Sequence, residues 1–265
     1  MKVCSRCRTL KPRQDFYANR GWRDGLHPYC KPCLLAYQRR RRFEKLDAER
    51  PERRQWTRRF VRHDYFSTLE RPRQAYVLGL LAADGNVFGS RVSIELHAKD
   101  GELVELVRDE LAPEVDLRVR ERDSRVFLVF SASSRELVSD LASFAVTERK
   151  SMTLRWPKAL PPSLARAFLL GYFDGDGFVT WSRHGRYAYP RWGLIGTKSF
   201  LTSANGLLVD ELGIREPRLY ERAGCWRSHV NGRDAFAVDE WLHETFNFGL
   251  ARKRFDRRPA VLDAA

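Results

Sequence analysis

The sequence contains no apolar run long enough to cross a bilayer. Its first residues, MKVCSRCRTLK, also lack the apolar segment of a signal peptide. Both absences argue against a membrane-spanning or secreted protein, and we expect a soluble, cytoplasmic one. Histidine is scarce too, with 6 residues scattered along the chain. The length of 265 residues leaves room for one domain of medium size and a small appendage.

Positive charge is abundant but unevenly placed. The net charge is +14, and residues 1–74 hold 21 Lys and Arg against 8 Asp and Glu. Residues 75–265 are almost balanced, with 27 basic against 26 acidic residues. The first quarter of the chain is therefore expected to bind a polyanion.

Four of the 5 cysteines lie in this basic quarter, as the pairs Cys4-x2-Cys7 and Cys30-x2-Cys33. This paired spacing matches a tetrahedral site in which four thiolates hold a structural Zn²⁺. Disulfides are the alternative, which the missing secretion signal disfavours. His27 could replace one thiolate, although packing beside the metal suits it better.

The basic segment that follows spans residues 34–73 and interleaves arginines with aromatic residues. Its densest run is Arg39, Arg40, Arg41 and Arg42. A solvated helical linker would explain the composition, but contact with DNA phosphates is favoured because the segment follows a cysteine module. Such contacts add affinity and salt dependence more than sequence preference.

An apolar run that ends in acid and glycine occurs twice, 92 residues apart, as LGLLAADG and LLGYFDGDG. The only acidic position present in both copies is Asp84 in the first and Asp176 in the second. Residues 74–83 and 164–175 are each long enough for about three turns of buried helix. The small residues spaced four apart along them, which let the two helices pack closely, are Gly79, Ala83, Gly171 and Gly175.

Each helix is predicted to end at a glycine in the left-handed conformation, Gly85 or Gly177. Asp84 and Asp176 would then lie side by side at the negative ends of two helix dipoles. Paired carboxylates repel each other unless a divalent cation lies between them, and oxygen ligands suit Mg²⁺ and phosphate-ester chemistry. A plain core helix with a polar end would explain one copy, but explains two aligned copies poorly.

The same order of elements is expected after each apolar run, giving α-β-β-α-β-β-α in duplicate. In the predicted third strand of the first copy, Arg118, Arg120 and Arg122 alternate with a mainly apolar row. Arg218 and Arg222 occupy the matching strand of the second copy. A solvated sheet face would also alternate, yet its charges would be mixed, so we expect these arginines to face DNA.

The two signatures resemble those of LAGLIDADG homing endonucleases of the two-repeat, single-chain kind. The resemblance implies an α+β fold with two antiparallel β-saddles, related by a pseudo-twofold axis through the signature helices. It also implies a monomer that binds a long asymmetric site in double-stranded DNA and cleaves it with Mg²⁺, leaving short 3′ overhangs. Asp84 and Asp176 match the family's metal-binding acids, with the backbone of Gly85 and Gly177 close to the metal. The first copy departs from the pattern at Ala82, where many members have an acid.

Two further resemblances concern the ends of these segments. Lys150 and Lys253 follow the last helix of each copy, where many family members have a basic residue near the scissile phosphate; an ordinary surface charge is the alternative. Residues 1–40 resemble a zinc-ribbon-like module of phage and bacterial nucleases, which often precedes an HNH domain. The scattered histidines disfavour HNH chemistry here, and the module suggests mobile DNA of bacteria or phage.

We therefore predict a zinc module at 1–40, a basic arm at 41–73, repeats at 74–160 and 161–258, and a tail at 259–265. The predicted function is a site-specific, Mg²⁺-dependent DNA endonuclease. A maturase or regulator that binds nucleic acid without cleaving it is the first alternative, although both signature acids are present. A purely architectural module is the second.

Overall fold

The structure is a computed structural model that describes residues 1–38, 60–184 and 187–255. The arginine run at 39–42 and the predicted tail at 259–265 lie outside the described residues. The chain divides into two compact units, Met1–Trp56 and Thr57–Ala265. No helix in the described part is long and apolar enough to cross a membrane.

The first unit consists of two short hairpins and one helix. Strand β1 (Lys2–Val3) pairs with β2 (Leu10–Lys11), and β3 (Phe16–Ala18) pairs with β4 (Leu26–Cys30). The chain is helical from 31 to 38. Among residues 1–38 the buried apolar cluster consists of Cys4, Phe16 and Cys30, and Leu34 is also buried. So small an apolar core gives little stability by itself, and such modules usually depend on a metal or on disulfides.

The second unit confirms the duplicated order. Its first repeat contains α1 (Pro72–Ala83), β5 (Gly85–Phe88), β6 (Arg91–His97), α2 (Gly101–Leu111), β7 (Arg118–Arg122), β8 (Arg125–Ser133) and α3 (Arg135–Ser143). The second repeat contains α4 (Ala165–Asp176), β9 (Gly177–His184), β10 (Tyr187–Gly196), α5 (Lys198–Leu212), β11 (Arg218–Arg222), β12 (Cys225–Asn231) and α6 (Arg233–His243). The strand orders β5-β6-β8-β7 and β9-β10-β12-β11 are the same, and every pair is antiparallel.

Helices α1 and α4 pack directly on each other through glycine, as the spacing predicted. A Cβ at Gly79 would lie 2.8 Å from the backbone nitrogen of Tyr172. One at Gly171 would contact the carbonyl oxygen of Tyr76 and lie 3.0 Å from the backbone nitrogen of Leu80. Because no side chain fits at either position, this close packing offsets the cost of glycine inside a helix.

The prediction of left-handed glycine caps is wrong. Gly177 has φ −96° and ψ 165°, an extended conformation, and Gly85 is the first residue of β5. Both glycines are required for space, since a Cβ at either position would lie 2.5 Å from a helix carbonyl oxygen, of Leu81 or Phe173. The chain thus turns from helix into strand directly after each acid, which fixes where the two carboxylates lie.

The hairpins β7–β8 and β11–β12 match each other at an offset of 100 residues. Asp123 and Ser124 both have positive φ at the first turn, and Ala223 and Gly224 do at the second. Two consecutive residues with positive φ are typical of the tight turn that suits twisted strands. The outer faces of the two hairpins therefore present equivalent positions.

The end of the predicted basic arm belongs to the core of the second unit. Tyr65 and Phe66 are buried there, 4% and 1% exposed. The Tyr65 hydroxyl donates to Glu110 Oε2 at 2.7 Å, and the Arg62 guanidinium donates to the Glu110 carbonyl at 3.0 Å. Of the residues predicted to form an arm that contacts phosphate, 60–71 therefore serve at least partly to cover helix α2.

Candidate active site

The two signature acids meet at one cleft. Asp84 directly follows α1, and Asp176 is the last residue of α4. Because α1 and α4 are packed along their length, their carboxyl-terminal ends lie together. Both acids line a cleft of about 940 Å³, together with Gly85 and Lys150. Asp84 is exposed in this cleft, and Asp176 is half-buried.

The electrostatics of the acids reflect their proximity. Burial and the neighbouring Asp84 carboxylate raise the pKa of Asp176 from 3.8 to about 6. Burial also raises the pKa of Asp84, while the ammonium groups of Lys253 and Lys150 oppose that shift. Two acids with raised pKa values, one of which disfavours the ionisation of the other, form a site that a divalent cation would stabilise.

The two lysines lie at the ends of the signature helices. Lys150 Nζ donates to the Ala83 carbonyl oxygen at 2.8 Å and lines the cleft. Lys253 Nζ lies within 3.0 Å of four carbonyl oxygens at the end of α4, those of Phe173, Asp174, Gly175 and Gly177. An ammonium group has only three N–H donors, so Lys253 is fully used by the helix. Lys150 keeps donors for a ligand.

The extra acid of the second signature has a structural role. Asp174 is 3% exposed, and its Oδ2 accepts from the Tyr76 hydroxyl at 2.7 Å and the Leu250 backbone nitrogen at 3.0 Å. These bonds tie α4 to α1 and to the segment that contains Lys253. The matching residue of the first repeat, Ala82, is buried in the core, so nothing there needs an acid.

Three features of the site could not be seen in the sequence pattern. Asp100 lies at the N-cap position of α2, but its carboxylate makes no capping bond. It binds the Arg252 guanidinium through both oxygens, at 2.6 and 2.7 Å. Arg155 and Lys198 also line the cleft. Their local sequence carries no periodic or repeated signal that could have pointed to them.

The donor set fits a hard divalent cation. Asp84 and Asp176 offer carboxylate oxygens in an open, water-accessible cleft, which matches the preference of Mg²⁺. The carbonyl oxygens of Ala83 and Gly177 are less suited to the metal, because each accepts a hydrogen bond from a lysine. Gly177 is therefore less suited to bind the metal through its carbonyl, whereas the place of the Gly85 backbone close to the metal stays a prediction.

The four cysteines of the first unit converge on one point. Their sulfur atoms all lie within 4.8 Å of one another, and Cys7 Sγ is 4.0 Å from Cys30 Sγ. Four thiolates around zinc at about 2.3 Å would place the sulfurs roughly 3.8 Å apart, whereas a disulfide needs about 2.05 Å. All of these cysteines are free. The geometry fits a zinc site and argues against disulfides.

Backbone groups prepare this site for a cation. Burial would raise the pKa of Cys4, but N–H groups of Cys30, Cys7 and Arg6 outweigh it and lower the pKa to about 6. The neighbouring thiols raise the pKa of Cys33 to about 12, because four negative charges cannot coexist without a cation. His27 does not belong to this cluster, and its Nδ1 atom accepts from the backbone nitrogen of Tyr29 at 3.1 Å.

The five predicted arginines lie on the outer faces of the two sheets. Arg118, Arg120 and Arg122 alternate along β7, but the opposite row is not buried, since Val119 is 66% exposed at the sheet edge. Arg218 and Arg222 hold the equivalent positions in β11. Arg120 and Arg122 both reach across β8 and bind Glu95 on strand β6.

Comparison with known proteins agrees with this architecture. Residues 163–237 match the model of the LAGLIDADG-like domain. No curated protein matches the chain in a sequence search. The matched residues contain the second signature with Asp176, which confirms the resemblance of that signature.

Several solved structures are similar at low identity. Full-length DUF199/WhiA from Thermatoga maritima is 17% identical with a TM-score of 0.44, over 68% of this chain and 59% of that one. The homing endonuclease I-WcaI bound to its DNA recognition sequence is 13% identical with a TM-score of 0.48, over 72% of this chain and 88% of that one. The meganuclease I-AabMI bound to uncleaved DNA is 13% identical with a TM-score of 0.47, over 68% and 86%. The present chain thus spans less than two thirds of the WhiA protein.

Proposed function

We propose that this protein is a site-specific endonuclease that hydrolyses both strands of a DNA duplex with Mg²⁺. The observation that carries the proposal is the convergence of Asp84 and Asp176 in one cleft, at the ends of two helices that pack through glycine. The packing of these helices does not require an acid at the end of either one, so packing alone does not explain the two acids. Two raised carboxyl pKa values in an open cleft are typical of a functional site.

The chemistry divides between the two repeats. Asp84 and Asp176 would hold the metal ions, each acid mainly serving one strand. Bound there, Mg²⁺ would lower the pKa of the attacking water and offset charge on the phosphate. Lys150, which lines the cleft and donates to the Ala83 carbonyl, would stabilise the negative charge that develops on the phosphate. Lys253 holds the end of α4 and thereby the position of Asp176.

DNA would lie across the two sheets, with the arginines of β7 and β11 against base edges and phosphates. The target would be long because each sheet contacts one half of it, and one chain therefore suffices to contact both halves of the target. It would be asymmetric because the two repeats differ in sequence. We propose that the module at 1–40 and the basic segment at 41–59 add phosphate contacts and salt-dependent affinity.

The test is cleavage of genomic DNA from candidate hosts that lack this gene, with Mg²⁺ or with EDTA, followed by sequencing of new ends. The expected result is a recurrent, Mg²⁺-dependent break with short 3′ overhangs. Asp176→Asn should reduce it to a nick or abolish it. Asp210→Asn makes the same chemical change at an exposed position of α5 and should cleave normally.

The alternative, a maturase or regulator that binds without cleaving, predicts another outcome of the same experiment. It would give no recurrent break, yet salt-sensitive binding to one DNA locus or to an intron RNA. Equal cleavage by wild type, Asp84→Asn and Asp176→Asn would contradict both the nuclease assignment and the assigned acids.

The zinc proposal can be tested separately. Native mass spectrometry of the purified chain should show one Zn²⁺, which is lost in Cys4→Ser/Cys30→Ser. Chelation should unfold residues 1–38, because the apolar core of that unit is too small to hold it. The cleft that contains Asp84 and Asp176 should keep its Mg²⁺ dependence. If native mass spectrometry shows no bound zinc in the wild-type chain, the zinc assignment is wrong.

A further inference from the structure

The two sheets differ at one central position of their outer faces. In the first sheet, Glu95 on β6 lies opposite Val129 on β8, and Val129 lies opposite Arg118 on β7. In the second sheet, the same row contains Gly193, His229 and Arg218. Glycine therefore occupies in the second repeat the place that glutamate occupies in the first.

Glu95 binds two arginines at once. Its Oε2 accepts from Arg120 Nη1 at 2.6 Å, and its Oε1 accepts from Arg122 Nη2 at 2.7 Å. The Arg122 guanidinium also lies 5.0 Å from the centre of the Phe127 ring, which faces the same side of the sheet. Each arginine is still more than half exposed and retains further N–H donors.

This arrangement restricts long side chains that would otherwise be mobile. A surface ion pair adds little stability, so stability alone does not explain a carboxylate placed between two arginines on this face. A guanidinium that is held in orientation loses less conformational entropy when it binds the O6 and N7 atoms of guanine. A carboxylate there also repels phosphate, which lowers affinity for unspecific duplex DNA.

In the part of the second sheet that the structure describes, no carboxylate holds the arginines of β11, although Arg191 on β10 donates to Asn231 Oδ1 at 2.9 Å. A Cβ at Gly193 would lie 2.5 Å from the Ser228 carbonyl oxygen and from the Phe178 ring, so no side chain can occupy that place. Among the described residues, Arg218 and Arg222 have no carboxylate partner, and the Arg218 guanidinium only faces the Tyr220 ring at 5.9 Å. These arginines keep their rotational freedom.

We propose that Glu95 is a specificity-determining residue that holds Arg120 and Arg122 in the orientation that reads guanine. The base pairs that face Arg120 and Arg122 are then read with a strong guanine preference, whereas those that face Arg218 and Arg222 are read with a weaker one. This inference rests on the proposed function, since it requires that the outer faces bind duplex DNA.

The experiment is selection from a random duplex library by the full-length protein in EDTA, which prevents cleavage, followed by sequencing. Wild type should enrich a motif with strong guanine preference at neighbouring positions in one half. Glu95→Gln should lower that preference roughly ten-fold, the value of a good bidentate contact. It should also bind an unselected duplex a few-fold more tightly, because it removes a negative charge.

Two variants sharpen the result. Glu121→Gln removes the same charge from the opposite face of β7 and should leave the motif unchanged. Arg122→Lys keeps the charge of the arginine but loses its planar fork, and should lose the same guanine preference as Glu95→Gln. Thermal melting should be nearly the same for all of these proteins.

The outcomes separate the two levels of the argument. Identical motifs from Glu95→Gln and Glu121→Gln would overturn the role of Glu95 while DNA binding stands. A uniform change of affinity without a change of motif would do the same, because it would reduce Glu95 to a bulk charge. Failure of the wild type to retain any duplex would contradict the proposed function itself and, with it, this inference.

Discussion

The carboxyl-terminal ends of α1 and α4 carry the same acid and lysine but are built differently. At the end of α1, Lys150 makes one hydrogen bond, to the Ala83 carbonyl. At the end of α4, Lys253 is surrounded by four carbonyl oxygens within 3.0 Å. One copy of the duplicated site keeps its ammonium group available to a ligand, and the other uses it to hold the helix.

The segment that contains Lys253 explains the difference. Residues 250–255 bond to Asp174 through the Leu250 backbone nitrogen and to Asp239 through the Phe255 backbone nitrogen. Arg252 reaches across to Asp100 of the first repeat. Residues 250–255 thus connect the two repeats. The two repeats have diverged, because this segment of the second repeat stabilises the contact between them.

The largest expected effect comes from removing the two lysines. Lys253→Met should lower the free energy of unfolding by about 3–5 kcal/mol, because several buried carbonyls lose a charged donor. Lys150→Met should cost about 1–2 kcal/mol, since one bond is lost. Urea unfolding of both variants checks this, and equal losses would show that the two ends are equivalent after all.

Asp174 provides the next test. Asp174→Ala should cost about 2–3 kcal/mol, because it leaves the buried Tyr76 hydroxyl and the Leu250 N–H group without an acceptor. In a Tyr76→Phe background the cost should shrink by about 1 kcal/mol, since the hydroxyl is then absent. Additive losses in this double-mutant cycle would contradict the direct bond.

Asp176→Asn should stabilise the metal-free protein. The folded-state pKa of Asp176 is raised from 3.8 to about 6, so the folded state favours the protonated acid. Its contribution to stability is therefore unfavourable above pH 6 and disappears as the pH falls towards 4. The variant should melt a few degrees higher than wild type at pH 8, at about 2–4 °C per kcal/mol, and at nearly the same temperature at pH 4.

Asp84→Asn should show the same sign with a smaller shift, because the strongest neighbouring charges lower the pKa of Asp84, whereas the Asp84 carboxylate adds to the effect of burial on Asp176. Melting curves with and without Mg²⁺ provide the companion measurement. The cation should raise the melting temperature of wild type, and should do so less in either variant. A wild type whose melting ignores Mg²⁺ at pH 8 would argue against the acid pair as a metal site.

Much of the architecture could be predicted from the sequence. The repeated signature located α1 and α4, the alternation of arginine located β7 and β11, and the spacing of the cysteines located the sulfur cluster. Each of these signals is local or repeated, because helices, strands and paired ligands impose a fixed spacing on the chain. Asp84 and Asp176 were singled out because the two copies could be compared within one chain.

The tertiary structure decided what each charged side chain does. Three sets of contacts join residues that are 25–152 positions apart in the sequence. They are the hydrogen bonds from Lys253 to the carbonyl oxygens at the end of α4, the ion pair of Arg252 with Asp100, and the ion pairs of Glu95 with two arginines. No periodicity encodes such partners. Gly85 and Gly177 show the same limit, since the sequence predicted glycine for its backbone freedom and the structure requires it for space. Local pattern determines which elements form, whereas packing determines which groups meet and what they can do.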